Sequence, residues 1–135
     1  MEYLYSEETR EILNAFYDVY NELGYGFLEK VYRNALYAEL VHRGFNCRKE
    51  YPIAVYYKGT SVGDYYADIM IDDRIILELK AVKTILPEHL AQLTNYLRAT
   101  KAEVGLLLNF GSTPEKKRVF FTNDRKTNLL DYEEQ

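Results

Sequence analysis

The chain has 135 residues, with 17 Lys and Arg against 21 Asp and Glu, so its formal net charge is −4. The 47% hydrophobic and 28% charged fractions are typical of a globular protein and exclude a disordered one. A single cysteine, Cys47, excludes an intramolecular disulfide framework and a cysteine-rich zinc site, and the acidic balance argues against tight non-specific binding to nucleic acid.

Two helices are predicted at the start of the chain. Ser6 is expected to cap the first helix, and Gly24 to end it. The second helix is predicted over about 27–43, with Gly44 directly after its end. Its apolar positions are Leu28, Val31, Ala35, Leu36 and Leu40.

The hydrophobic period then changes to that of strands. We expect strands over 51–57, 62–71 and 74–82, a helix from Pro87 to about Thr100, and further strands over 104–109 and 118–122. The strand over 104–109 is apolar until its end, as in a strand covered on both faces. The predicted order is ααβββαββ, which is an α/β fold.

One domain over 1–135 is expected from this length, with a frayed tail over about 128–135. The first residues lack the basic and apolar regions of a signal peptide, and no apolar run is long enough to span a bilayer. We therefore expect a soluble cytoplasmic protein without a membrane partner.

Three charged residues are predicted to share one face of the sheet. Side chains two apart on a strand point the same way, so Glu78 and Lys80 lie together while Leu77 and Leu79 face the core. Asp68 belongs on the Glu78 face if Ala67, Ile69 and Ile71 share that core.

This requirement fixes the register of the hairpin. A two-residue turn would pair Asp68 with Leu77 and mix charged with apolar faces. A three-residue turn over 72–74, or an equivalent bulge, pairs Ile71 with Ile75 and Asp68 with Glu78. We predict the second arrangement, which sets two carboxylates side by side near an ammonium group.

Each of these features also has a structural explanation. A Glu-x-Lys alternation is commonly a solvated sheet face, and Glu29 near a helix start is commonly a surface residue favoured by the helix dipole. His89, Gln92 and Tyr96 form a polar stripe at helical spacing that is either a hydrated outer face or a stripe packed over the sheet.

Several ordered motifs together resemble one known family. The segment Gly-Phe-Leu-Glu-Lys-Val-Tyr at 26–32 resembles the defining motif of the GxxExxY proteins, a prokaryotic family in the PD-(D/E)XK nuclease superfamily. The resemblance extends from about Glu11 to Val119. It implies a restriction-endonuclease-like core, which is a mixed sheet flanked by helices. Further similar stretches lie at 57–68, 78–82, 89–100 and 105–111.

The resemblance also implies roles for individual residues. Glu29 matches the helical acid, Asp68 the metal-binding aspartate, and Glu78 with Lys80 the (D/E)xK pair. The implied catalytic set is completed by two residues similar to a Gln-x-x-x-Tyr element of the RecB-like branch, Gln92 and Tyr96.

A magnesium ion, or manganese in its place, is the implied cofactor. Asp68 and Glu78 supply hard oxygen ligands, the main-chain carbonyl of Leu79 is a candidate third, and Glu29 binds directly, through water, or at a second ion.

Substrate contacts are expected from local basic groups. Lys83 is ranked above ordinary surface charge because it lies close to the Glu-x-Lys strand. His89 is expected to contact phosphate, to act as a base, or to have a structural role. The other candidates are Lys30, Arg33, Arg98 and the basic run over 116–118.

The leading functional hypothesis is a Mg²⁺-dependent nuclease that hydrolyses phosphodiester bonds of DNA. The alternative is a catalytically weak module with a nuclease fold that binds a partner protein or nucleic acid. A third interpretation, a structural protein with a solvated sheet face, would leave Glu29, Asp68 and Glu78 far apart. A homodimer is left open.

Overall fold

A mixed five-stranded sheet with helices on both faces forms the described part of the chain. The computed structural model describes residues 4–126, so the tail predicted to fray over 128–135 lies outside it. The element order is ααβββαββ, as predicted. The elements are α1 Ser6–Leu23, α2 Glu29–His42, β1 Cys47–Tyr57, β2 Thr60–Ile71, β3 Ile75–Lys80, α3 Pro87–Arg98, β4 Val104–Phe110 and β5 Pro114–Phe120, followed by a short 3₁₀ turn, Asn123–Arg125.

The strands lie side by side in chain order, β1-β2-β3-β4-β5. Only β3 and β4 are parallel, and α3 connects them across one face of the sheet; the other neighbours are antiparallel. The turn between β2 and β3 has three residues, 72–74, and Ile71 lies opposite Ile75. The predicted turn and the pairing of Ile71 with Ile75 are therefore confirmed, and backbone pairing ends at Ile69 with Leu77, before Asp68 and Glu78.

Two apolar clusters cover the two faces of the sheet. Helices α1 and α2 pack over one face, which includes the predicted core residues Leu77 and Leu79, and α3 packs over the other. Ala67 is buried against the α3 side rather than with Ile69 and Ile71, so that part of the prediction is wrong. On β1, Glu50 lies between the residues that pair with Ala67 and Ile69, and its left-handed backbone (φ 52) interrupts the regular geometry of the strands here.

The ends of the helices differ in detail from the prediction. Ser6 is the first helical residue, and Tyr5 precedes it without a side-chain cap. Leu28 lies before α2 and is 72% exposed, so it is not part of the apolar face. Tyr32 is fully buried there instead, because its ring packs against the sheet residue Phe110.

The last strand begins earlier than predicted. β5 covers Pro114–Phe120 rather than 118–122, because the polar segment 114–118 pairs with β4 along its full length. An edge strand with one solvated face carries charged residues, which hides it from a hydrophobicity pattern. Within residues 4–126, no helix has the length and apolar content to cross a bilayer.

Candidate active site

Two carboxylates bridge β2 and β3 where the strands stop pairing through their backbones. The last backbone pair before this point is Ile69 with Leu77. The Asp68 amide donates to Oε1 of Glu78 at 2.9 Å, and the Leu79 amide donates to Oδ2 of Asp68 at 2.8 Å. Side-chain hydrogen bonds thus replace the backbone ladder here and hold the two carboxylates close together.

Burial makes the charge on this pair costly. Glu78 is 8% exposed, and desolvation together with the charge of Asp68 raises its pKa to about 8. Desolvation also raises the pKa of Asp68, against the opposing effects of the Leu79 amide and of Arg33. Two adjacent acids with raised pKa values form a site that a cation would stabilise.

The positive groups around the pair are Arg33 and Lys80. Arg33 lies with Nη1 3.5 Å from Oδ1 of Asp68 and Nη2 2.9 Å from Oε1 of Glu50. Lys80 is half-buried, and its charge acts to lower the pKa of Glu78. Sequence reasoning did not rank Arg33 above the other surface cations, because its partner Asp68 is distant along the chain.

Glu29 reaches the same end of β3 from the first turn of α2. Its Oε2 accepts a hydrogen bond from the Ala81 amide at 3.3 Å, and its charge raises the pKa values of both Asp68 and Glu78. Across residues 4–126, no three His, Cys, Asp or Glu side chains are close enough to share one ion. Asp68 and Glu78 therefore form the pair, and Glu29 stands beside it.

Tyr32 holds the segment that leads into Glu29. Its hydroxyl donates to the Gly24 carbonyl at 2.6 Å and accepts from the Phe27 amide at 3.2 Å. Its ring stacks on Phe110 with the centroids 4.3 Å apart. Gly26 in this segment has φ 115, a conformation that suits glycine. The motif at 26–32 thus includes a turn held by hydrogen bonds, which positions the start of α2.

Helix α3 brings a second set of polar groups toward the acids. Nε2 of Gln92 donates to the Tyr96 hydroxyl at 2.8 Å, and Tyr96 is 6% exposed. Burial raises the pKa of Tyr96, and the charges of Glu78 and Asp68 raise it further, so this hydroxyl lies within electrostatic reach of the pair. The stripe on α3 is therefore packed over the sheet at Tyr96.

His89 and Lys83 occupy different settings between β3 and α3. Nδ1 of His89 accepts from the Leu86 amide at 3.0 Å, which caps the first turn of α3 and is the structural role considered above. Lys83 is exposed on the connecting segment.

Sequence reasoning missed Asn109, which shapes that connecting segment. It is fully buried at the end of β4, where it exchanges two hydrogen bonds of 2.9 Å with the backbone of Val82 and donates to Oε1 of Glu115 at 2.8 Å. The signal available was a polar side chain at the end of an otherwise apolar strand. Asn109 anchors the chain two residues after Lys80.

The donor set fits a hard divalent cation. Asp68 and Glu78 each use one carboxylate oxygen to accept a hydrogen bond from a backbone amide, and desolvation opposes the charge on both. Oxygen ligands of this kind are those that Mg²⁺ and Mn²⁺ prefer.

Comparisons with known proteins identify the superfamily and the fold. A family model described as the PD-(D/E)XK nuclease superfamily matches residues 6–119. The crystal structure of SSO0001 is similar in fold, with a TM-score of 0.58 and 21% identity over 96% of this chain and 66% of that one. The chain thus spans about two thirds of the length of that protein. A search of curated proteins finds no match.

Proposed function

Because the chain belongs to the PD-(D/E)XK nuclease superfamily, we propose that it is a divalent-metal-dependent nuclease that hydrolyses phosphodiester bonds of DNA. The observation that supports this proposal most strongly is the Asp68–Glu78 pair, in which each carboxylate accepts from a backbone amide of the other strand where β2 and β3 separate. Adjacent carboxylates, one buried and one half-buried, are costly to keep charged, whereas they are suited to holding a cation against a phosphate.

In this proposal Asp68, Glu78 and the carbonyl of Leu79 hold Mg²⁺, or Mn²⁺ in its place. When bound, the ion supplies charge stabilisation at the scissile phosphate and lowers the pKa of the attacking water. Lys80 orients that water or offsets phosphate charge. Glu29 lies beside the pair and supports it directly or through water.

The remaining groups would position the strand. Gln92 and Tyr96 are joined by a hydrogen bond and hold one polar group toward the acids. Lys83 is exposed and free to approach a phosphate. His89 uses Nδ1 as a helix cap, which leaves Nε2 as the atom that would contact the substrate.

Arg33 supports a second candidate, a catalytically weak module that binds a partner protein or nucleic acid. Its guanidinium already neutralises part of the charge on Asp68. The acidic net charge of −4 favours the same candidate, because it weakens autonomous binding to DNA. This proposal retains four predictions from the sequence: membership of the GxxExxY family, a single domain over 1–135, a cytoplasmic location and a homodimer.

A cleavage assay with Lys80→Ala as the comparison separates the two candidates. Purified protein is incubated with linear, circular and single-stranded DNA in Mg²⁺ or Mn²⁺. Because removing the ammonium group removes a charge at the reacting phosphate, we expect cleavage by the wild type and a loss of roughly 100-fold or more in the variant. Cleavage that survives the substitution would refute the assignment, and a wild type inactive on every substrate would favour the binding module.

A further inference from the structure

A cleft of about 620 Å³ lies between the β1–β2 hairpin and α3. Its walls include Val55 and Tyr65 from the hairpin, with Gln92, Asn95, Tyr96 and Arg98 from the helix. Tyr65 lies three residues before Asp68 on β2, so one wall of the cleft leads along the strand to the acid pair. The volume of the cleft falls in the range of ordinary ligand sites.

Tyr65 presents an aromatic surface in this cleft. Its side chain is 46% exposed, and its ring centroid lies 5.8 Å from that of Tyr96 at an interplanar angle of 48°. Gly63 supports the ring from the same strand, because a Cβ at that position would lie only 3.2 Å from Cε2 of Tyr65. The ring is therefore held between a glycine and a buried tyrosine, with much of its surface open.

The groups around Tyr65 suit a nucleotide better than an apolar ligand. Gln92 and Asn95 lie three apart on α3 and offer amide donors and acceptors. Arg98, one turn further along, is exposed with its guanidinium 4.8 Å from the ring centre of Phe121. A stacking ring, two amides and a cation together match the base, the base edge and the phosphate of one nucleotide. Glu88 also lines the cleft, and its negative charge opposes the binding of a phosphate there.

The hairpin supplies this surface beyond the region that β3 covers. β3 pairs with residues 69–71 of β2, whereas residues 60–67 pair with β1. Tyr65 thus lies on a two-stranded extension next to the acid pair.

We propose that this cleft binds an unpaired base of a DNA strand by stacking on Tyr65, so that the protein selects single-stranded or frayed DNA over intact duplex. The proposal rests on the proposed nuclease function for its choice of ligand. A stacked base inside a duplex is unavailable to a tyrosine ring, so the contact discriminates between the two forms of DNA. Stacking of this kind is tolerant of sequence.

The test is direct binding in EDTA, where the DNA is not cleaved. A labelled single-stranded DNA oligonucleotide, the same strand annealed to its complement, and the matching RNA strand are titrated by fluorescence anisotropy at low salt. We expect the wild type to bind the single strand about 10-fold more tightly than the duplex, and Tyr65→Ala to lose about 10-fold in single-strand affinity with little change for duplex. Tyr65→Phe should retain the wild-type affinity.

Two further variants keep the result interpretable. Tyr57→Ala removes another exposed hairpin tyrosine, 63% exposed and outside the cleft, and should bind like the wild type. Tyr65→Leu preserves apolar bulk without an aromatic face, so it decides the matter if Tyr65→Ala fails to fold. Equal binding of single strand and duplex, unchanged affinity in Tyr65→Leu, a preference for RNA, or no binding to any strand would each overturn the inference. The cleavage test with Lys80→Ala is independent of these outcomes, so the failure of either proposal can be recognised separately.

Discussion

Glu78 is a nearly buried carboxylate beside a second acid, and this arrangement predicts an unusual dependence of stability on pH. Burial and the charge of Asp68 raise the folded-state pKa of Glu78 from 4.5 to about 8. The folded state therefore binds more protons than the unfolded state between these values. The stabilisation contributed by Glu78 is present below the pKa of this group in the unfolded state, and it is lost as the pH rises through its pKa in the folded state.

We expect the free energy of unfolding of the metal-free protein to fall as the pH rises from 4.5 toward 8. One proton corresponds to a slope of at most about 1.4 kcal/mol per pH unit. Glu78→Gln keeps an oxygen that accepts the hydrogen bond from the Asp68 amide, and it removes the charge. The free energy of unfolding of this variant should therefore change less with pH over this range. Urea unfolding of both proteins in EDTA measures the difference, and parallel profiles would contradict the expectation.

The turn of the β2–β3 hairpin was predictable at the level of single residues. Burial of Leu77 selects the three-residue turn, with Ile71 opposite Ile75. The burial of Ala67 on the α3 side was not predictable, because the regular alternation of β2 is lost before Asp68. The ion pair between Arg33 and Asp68 was not predictable, because it depends on how α2 is placed across the sheet.

At the scale of elements, segments with a strong hydrophobic period were placed well and the polar ones were not. β4 is buried along its whole length, and it begins at Val104 as predicted. The predicted start of β5 was too late because the first half of this strand is charged. The backbone hydrogen bonds to β4 that define the strand cannot be read from a hydrophobicity pattern. Leu28 was misplaced because helical spacing cannot show where the preceding turn ends.

The turn into α2 gives a prediction for Tyr32→Phe. The substitution keeps the ring stacked on Phe110 and removes the hydroxyl that bonds to Gly24 and Phe27. We expect a loss of about 1–2 kcal/mol in the free energy of unfolding, since two partly buried hydrogen bonds are broken. The Mg²⁺-dependent cleavage rate should also fall, because Glu29 follows this turn.

Tyr25→Phe is the matched control for that substitution. Tyr25 lies in the same turn but is 65% exposed. The Tyr25→Phe protein should therefore have the same urea midpoint of unfolding as the wild type. A Tyr32→Phe protein as stable as this control would show that the hydroxyl bonds do not hold the turn.

For the whole molecule, the placement of the acids reconciles the negative net charge with the proposed DNA substrate. The chain carries a net charge of −4, but three of its acids lie at one end of β3. One bound divalent cation would offset two negative charges at that place. The proposed function therefore requires a metal ion at the acid pair. Because the overall charge is still negative with one ion bound, we expect only modest affinity for DNA.

Calorimetric titration with Mn²⁺ measures whether Asp68 and Glu78 form a divalent-cation site. We compare the wild type with Glu78→Gln and with Glu88→Gln, which removes an exposed acid on α3. We expect binding to the wild type and to Glu88→Gln, with an affinity that rises from pH 6 to 8 as Glu78 loses its proton, and a loss of about 10-fold or more in Glu78→Gln. Equal binding by all three proteins, or no binding by the wild type, would show that these two carboxylates do not form a cation site.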